Sequence, residues 1–179
     1  MFKKLCITLI SSVLASAQAL QPGAVLPKVK GTSLDEHEIT LPDAAGGKIA
    51  LLIVTFTKAG GERGRAWTER FIKDYPQDDQ VTSYSIAMLE DVPSMLRGLV
   101  RGRIKRGVPA SMRRRFITVI KDQNQWKQYT GMKDDKDAYL FLLDTKSHIV
   151  WTHQGAFETA AYDALKLKIA DLGKKPGSP

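Results

Sequence analysis

The sequence predicts an α/β domain, a central mixed sheet flanked by helices, and three observations predict it. Residues 49–56 form an apolar run rich in Val, Ile and Leu, the pattern of a strand buried on both faces at the centre of a sheet. Trp67, Phe71 and Tyr75 then recur every four residues, Ile72 widens the stripe and Pro76 ends it, so a helix packed through one face is expected. Residues 81–89 (VTSYSIAML) are a second, mostly apolar strand. Strand, helix and strand at this spacing make a crossover, which requires the two strands to be parallel neighbours.

The remaining elements follow in order. In residues 20–48, Pro22-Gly23 and Pro27 break regular structure, Glu38-Ile39-Thr40-Leu41 reads as a short edge strand, and 43–47 is a turn. Residues 58–64, rich in glycine and charge, read as the turn between the first central strand and its helix. After Glu90-Asp91 a helix begins near Pro93 with an apolar stripe of Met95 or Leu96, then Leu99, Val100 and Ile104, and it ends at Gly107 and Pro109. Residues 115–120 read as a short strand or extended piece. Asp122 and Gln125 read as a capping pair opening a short helix with Trp126 and Tyr129, which Gly131 closes. Residues 138–143 and 148–152 are strands joined by a hairpin-length turn. The last helix, 157–172, carries Phe157, Ala161, Leu165 and Leu172 on one face and stops at Gly173.

Residues 1–19 read as a signal peptide: Lys3 and Lys4, an apolar core over 5–15, and the small-x-small sequence Ala17-Gln18-Ala19. Cleavage is expected after Ala19, with the protein exported to a periplasm or secreted. That leaves one domain over 20–173, and a tail, 174–179, expected to be disordered. The whole chain carries a formal charge of +8, of which the leader holds two lysines. Its single cysteine, Cys6, lies in the leader. Thiol catalysis, disulfides and cysteine metal sites are therefore excluded from the processed chain.

Residues 23–56 resemble the opening segment of secreted redoxins and thiol:disulfide interchange proteins. Residues 116–155 resemble their second half, through Asp122, Tyr129-Thr130-Gly131, the strand from Tyr139 to Asp144, Ile149 and Gly155. The resemblance implies a thioredoxin-like fold. It breaks at the chemistry. The family's Cys-x-x-Cys would fall on Gly61 and Gly64, with Arg65 following, and its cis-proline would fall near Ala138. A peroxidase-type Thr-x-x-Cys is missing as well, so neither thiol oxidoreductase nor peroxidase activity is expected. A looser resemblance links Tyr139-Leu140-Phe141-Leu142-Leu143-Asp144, Ile149-Val150-Trp151 and Gly155 to the thioredoxin-like mitochondrial ATP synthase assembly factors. That likeness implies an assembly or chaperone role.

Two binding candidates stand out. Gly60, Gly61 and Gly64 would offer backbone N–H groups at a helix N-terminus, with Arg63 and Arg65 beside them, a combination that favours a carboxylate, a phosphate or an acidic segment. The alternative is a tight turn with solvated arginines. The second candidate is the run of Arg97, Arg101, Arg103, Lys105, Arg106, Arg113, Arg114 and Arg115, with no acid between Asp91 and Asp122. Such a field suits an acidic protein partner or an anionic membrane surface, or else a solvated face. No aromatic residue is interleaved before Phe116, so nucleic acid is not expected.

His37, His148 and His153 are too scattered for a metal site and are expected at the surface or a sheet edge. Ser83 and Ser85 lack the glycines of a nucleophile elbow. No cofactor is expected. The function implied is that of an exported, non-catalytic protein that binds a partner. The alternative is a non-thiol enzyme holding an anion on Arg63 or Arg65, with Glu62 or Glu69 as general base.

Overall fold

The computed structural model describes residues 19–76 and 79–174. The expected leader, apart from Ala19, and the expected tail beyond Lys174 lie outside the described residues. The elements run β1 (Val29–Ser33), β2 (Glu38–Leu41), a 3-10 turn (Asp43–Ala45), β3 (Ile49–Thr55), α1 (Lys58–Asp74), β4 (Val81–Met88) and α2 (Ser94–Gly107). A second 3-10 turn (Ala110–Arg115), β5 (Phe116–Val119), α3 (Gln123–Thr130), β6 (Tyr139–Leu143), β7 (Ile149–Gln154) and α4 (Thr159–Gly173) complete them. One mixed sheet has the order β2-β1-β5-β4-β3-β6-β7.

The core of this arrangement is the one the sequence predicts. All seven residues of β3 are buried, β3 and β4 are parallel, and β6 and β7 form an antiparallel hairpin. Alternation along β3 divides the core in two. Ile49, Leu51 and Ile53 pack with Trp67 and Phe71 of α1 and Tyr162, Leu165 and Ile169 of α4. Ala50, Leu52 and Val54 face the other way, toward Ile86, Ile117 and Trp126 of α3. Trp67 is fully buried, with its ring 5.2 Å from Phe157 and 6.2 Å from Tyr162.

Five expectations are corrected. Residues 58–64 are not a turn: α1 begins at Lys58, capped by Thr57, whose Oγ1 accepts from the Gly60 N–H at 3.2 Å. Asp122 lies in the left-handed region (φ 62°) and makes no side-chain cap, so the Asp122–Gln125 capping pair does not form. Strand β1 occupies a stretch without strand alternation. Helix α4 starts at Thr159, with Phe157 before it against Trp67. Most consequential, α2 buries none of its side chains. The first part of its predicted apolar stripe faces solvent, with Met95 87% and Leu99 54% exposed, while Val100 and Ile104 are half-buried.

The glycines of α1 explain how this helix sits on the sheet. A Cβ on Gly60 would lie 2.8 Å from the Asp137 carbonyl oxygen and 3.2 Å from that of Asp135. One on Gly64 would lie 3.0 Å from Ile53 and 3.1 Å from Thr55. Their smallness lets the first turns of α1 press against β3 and the loop before β6. Thr57 fastens the same junction, since its hydroxyl also donates to the Asp135 carbonyl at 2.8 Å.

Candidate functional site

The positions that would carry redox thiols are both inside α1. Gly61, the fourth residue of the helix, has open space around its missing side chain, whereas Gly64 is wedged against β3. Across from them, where a cis-proline is expected in redoxins, stand Asp137 and Ala138. Arg63 Nη1 donates to the Asp137 carboxylate, and Gln154 Nε2 donates to its other oxygen at 2.8 Å. The Asp137 side chain is only 14% exposed. An Arg–Asp–Gln cluster thus closes the junction between α1, the loop before β6 and β7.

The anion reading of this segment meets a geometry already satisfied from within. The Gly60 N–H is held by Thr57 Oγ1 and the Gly61 N–H by the Thr57 carbonyl at 2.9 Å. Arg63 is engaged by Asp137, and Arg65 Nε by Glu69 at 2.7 Å. The enzyme alternative fares no better. Glu62 lies 3.6 Å from Lys58 and Glu69 pairs with Arg65, all on the exposed face of one helix. Neither glutamate borders either of two cavities of about 500 and 830 Å³. With neither glutamate facing a cavity together with Arg63 or Arg65, that reading has lost its support.

The basic stretch separates into two populations. The inner one works for the fold. Arg97 donates to the carbonyls of Val92 (2.9 Å) and Glu90 (2.8 Å), bracing the β4–α2 connection. Arg101 Nη1 grips both Glu36 carboxylate oxygens at 2.6 and 2.7 Å, and its Nη2 donates to the Ser33 carbonyl. Lys105 lies 3.7 Å from Glu36, and Arg114 lies 3.8 Å from Asp35. Arg113 holds the Val108 carbonyl and Arg115 reaches Thr82 and Met112. Hydrogen bonding by Arg101 holds the Glu36 carboxyl below its ordinary range, and the Ser33 hydroxyl does the same for Asp35, with His37 and Arg114 adding to it. Only Arg103 and Arg106, both exposed, make no ion pair or hydrogen bond among the described residues.

Two residues in these surroundings are missed by pattern reading. Gln123 is buried; its Oε1 accepts from the N–H groups of Glu90 (3.1 Å) and Asp91 (3.5 Å), and its Nε2 donates to the Asp91 carboxylate. It ties the start of α3 to the loop that launches α2. The second is His153, expected at the surface or a sheet edge. It does lie on the edge strand β7, yet its ring is 5.0 Å from that of Trp67 and stacked on Trp151 at 5.7 Å, with Nε2 buried and unpartnered. Burial pushes its pKa down, against the pull of Glu158 and Asp137.

No helix among the described residues is long and apolar enough to cross a membrane, and no cluster of His, Asp and Glu among them could hold a metal ion.

Solved structures place the fold. A thiol:disulfide interchange protein DsbE from Chlorobium tepidum superposes with a TM-score of 0.62 at 18% identity, covering 86% of this chain and 99% of that one. The thioredoxin domain of a thiol-disulfide oxidoreductase from Bacteroides vulgatus gives 0.61 at 18% identity, covering 84% and 99%. BsSco, of the Sco family of cytochrome c oxidase assembly proteins, gives 0.59 at 12% identity, covering 86% and 96%. At these identities the likeness is one of fold: the domain is thioredoxin-like. No curated protein matches the chain. The family described as ATP10 protein matches residues 17–170, nearly the whole chain, and this protein belongs to that family.

Proposed function

We propose that this protein is an exported, non-catalytic assembly factor, which binds a partner through α2 and the basic segment after it while a membrane complex is put together. One observation carries the reading. The scaffold of a thiol:disulfide protein is intact, but Gly61 and Gly64 stand at the thiol positions and Arg63, Asp137 and Gln154 close the junction over them. A scaffold kept without its nucleophile retains binding as its remaining use, and membership of the ATP10 family fits that use. Export rests on the composition of residues 1–19.

The test is capture from the cell envelope, using the chain with its leader removed by the cell. The expected result is retention of a subunit of a membrane complex by the wild type, and its loss when Arg103 and Arg106, the basic residues of 97–115 that make no ion pair or hydrogen bond among the described residues, are neutralised. Reduction of insulin or consumption of peroxide by the protein would overturn the non-catalytic part. A chain that keeps its leader and stays in the cytoplasm would overturn the export part.

A further inference from the structure

The outward face of α2 combines three features that no contact in the fold explains. At about 100° per residue, Met95, Leu96, Leu99, Arg103 and Arg106 fall within one arc of the helix, and all five are exposed. Val100, Arg101, Ile104 and Lys105 turn toward the body and are half-buried. The outward face is therefore apolar over its first turns and cationic over its last. Its cations are the two members of the basic stretch left without partners.

The third feature is glycine. Gly98 and Gly102, one turn apart and flanking this arc on its Met95 edge, have ordinary negative φ, so no backbone conformation calls for them. Nothing approaches the place of a Cβ on Gly98, and only Arg106 Nη1, at 4.0 Å, approaches that of Gly102. Each costs about 1 kcal/mol relative to alanine in a helix. Contrast Gly60 and Gly64 of α1, whose smallness is used by a close packing contact.

We infer that this face docks a helix of a partner protein. That helix would lay its backbone close along Gly98 and Gly102, cover the adjoining Met95 and Leu99 with apolar side chains, and present carboxylates to the long side chains of Arg103 and Arg106. Close approach over two glycines one turn apart is a helix–helix contact. A lipid surface would gain nothing from glycine, because membrane partition scales with buried apolar area. Charge complementarity fixes the orientation: the partner's acids lie about 6–10 Å along the axis from the contact with Leu99. This inference rests on the partner-binding role proposed above and names the chemistry of that partner.

A photo-reactive benzophenone residue placed at Leu99 of the full chain, activated in the producing cell, tests it. The expected product joins Leu99 to a helical segment with apolar residues and at least one Asp or Glu within two turns, identified by sequencing the cross-linked peptide. R103E/R106E should lower the yield by about tenfold, Gly98→Leu should do the same, and lysine at the partner's acidic positions should restore the yield of the charge-reversed chain. Because α2 buries no side chain, these variants should keep the wild-type melting temperature, which controls for folding. A cross-link to lipid, a cross-link indifferent to Gly98→Leu, or co-sedimentation of the wild type alone with phosphatidylglycerol vesicles and no protein adduct would each overturn the inference. If removing the protein depletes a membrane complex while a variant combining G98L, R103E and R106E sustains it, the assembly role stands and this face is not its instrument. If removal depletes nothing, the assembly role itself falls.

Discussion

Arg63 of α1 donates to the Asp137 carboxylate across the junction where thiol proteins of this fold keep their chemistry. Asp137 is mostly buried, and Gln154 is its other side-chain partner. Arg63→Ala should therefore leave a poorly solvated carboxylate with one neutral donor and cost about 1–2 kcal/mol. Asp137→Ala should cost a similar amount, and the double variant less than the two together, because the charges answer one another. Urea denaturation of the four proteins measures this. Strictly additive losses would mean that the pair is not coupled.

The glycines of α1 give opposite predictions at neighbouring positions. Gly60→Ala puts a methyl group 2.8 Å from the Asp137 carbonyl oxygen, too close to stay without moving backbone, and should destabilise by about 2 kcal/mol. Gly61→Ala meets nothing within 4 Å and should stabilise by up to about 1 kcal/mol through helix propensity. Thermal melts of the two variants should move apart. Equal shifts would show that the close approach of α1 to the loop before β6 is not what Gly60 serves.

The same glycines show what the sequence could and could not reveal. Clusters of glycine occur in turns and also where a helix must lie close to another backbone, and only the far partner tells which. For Gly60 that partner is Asp137, distant in the chain. Strand β1 lacks a legible pattern for a related reason: Gly31 interrupts its alternation where it lies close against its antiparallel neighbour β5, and a Cβ there would meet Ile117 at 2.5 Å. By contrast β3, β4 and β6 were legible, since strands buried on both faces leave almost no place for polar residues. The stripe on α2 exists, but only Val100 and Ile104 turn toward the body, half-buried, while Met95, Leu96 and Leu99 face solvent. Periodicity identifies an apolar face, but what covers it is decided by the rest of the molecule. In the basic stretch, sequence gave the sum of charge and could not see that Glu36, Asp35 and backbone carbonyls already hold most of it.

His153 should make stability depend on pH in the mildly acidic range. Burial against Trp67 and Trp151 lowers its folded pKa below the ordinary 6.5, although Glu158 and Asp137 favour the charged form. The unfolded chain therefore takes up a proton before the folded one does. Stability is complete above about pH 6.5 and declines as pH falls through that value toward the folded pKa. His153→Phe, which keeps a ring between the tryptophans, should flatten this segment of the curve. Urea midpoints at pH 7.5 and 5.5 for both proteins test it, and an unchanged slope in the variant would assign the dependence to another group.

Arg101 should control how firmly α2 is held. The helix buries no side chain of its own, so its attachment depends on the Arg101 contacts to Glu36 and the Ser33 carbonyl, with Lys105 in support. Arg101→Met should free α2 to open locally while the sheet and the α1 and α4 packing stay as they are. Global melting should change little, whereas amide exchange in residues 94–107 and tryptic cleavage at Arg103 and Arg106 should accelerate about tenfold. Acid should mimic the substitution. Arg101 lowers the folded pKa of Glu36, so the attachment is complete above the ordinary 4.5 and weakens as pH falls through the folded value. Exchange in α2 that is as slow in Arg101→Met as in the wild type would mean that half-buried Val100 and Ile104, rather than the ion pair, keep the helix on the domain.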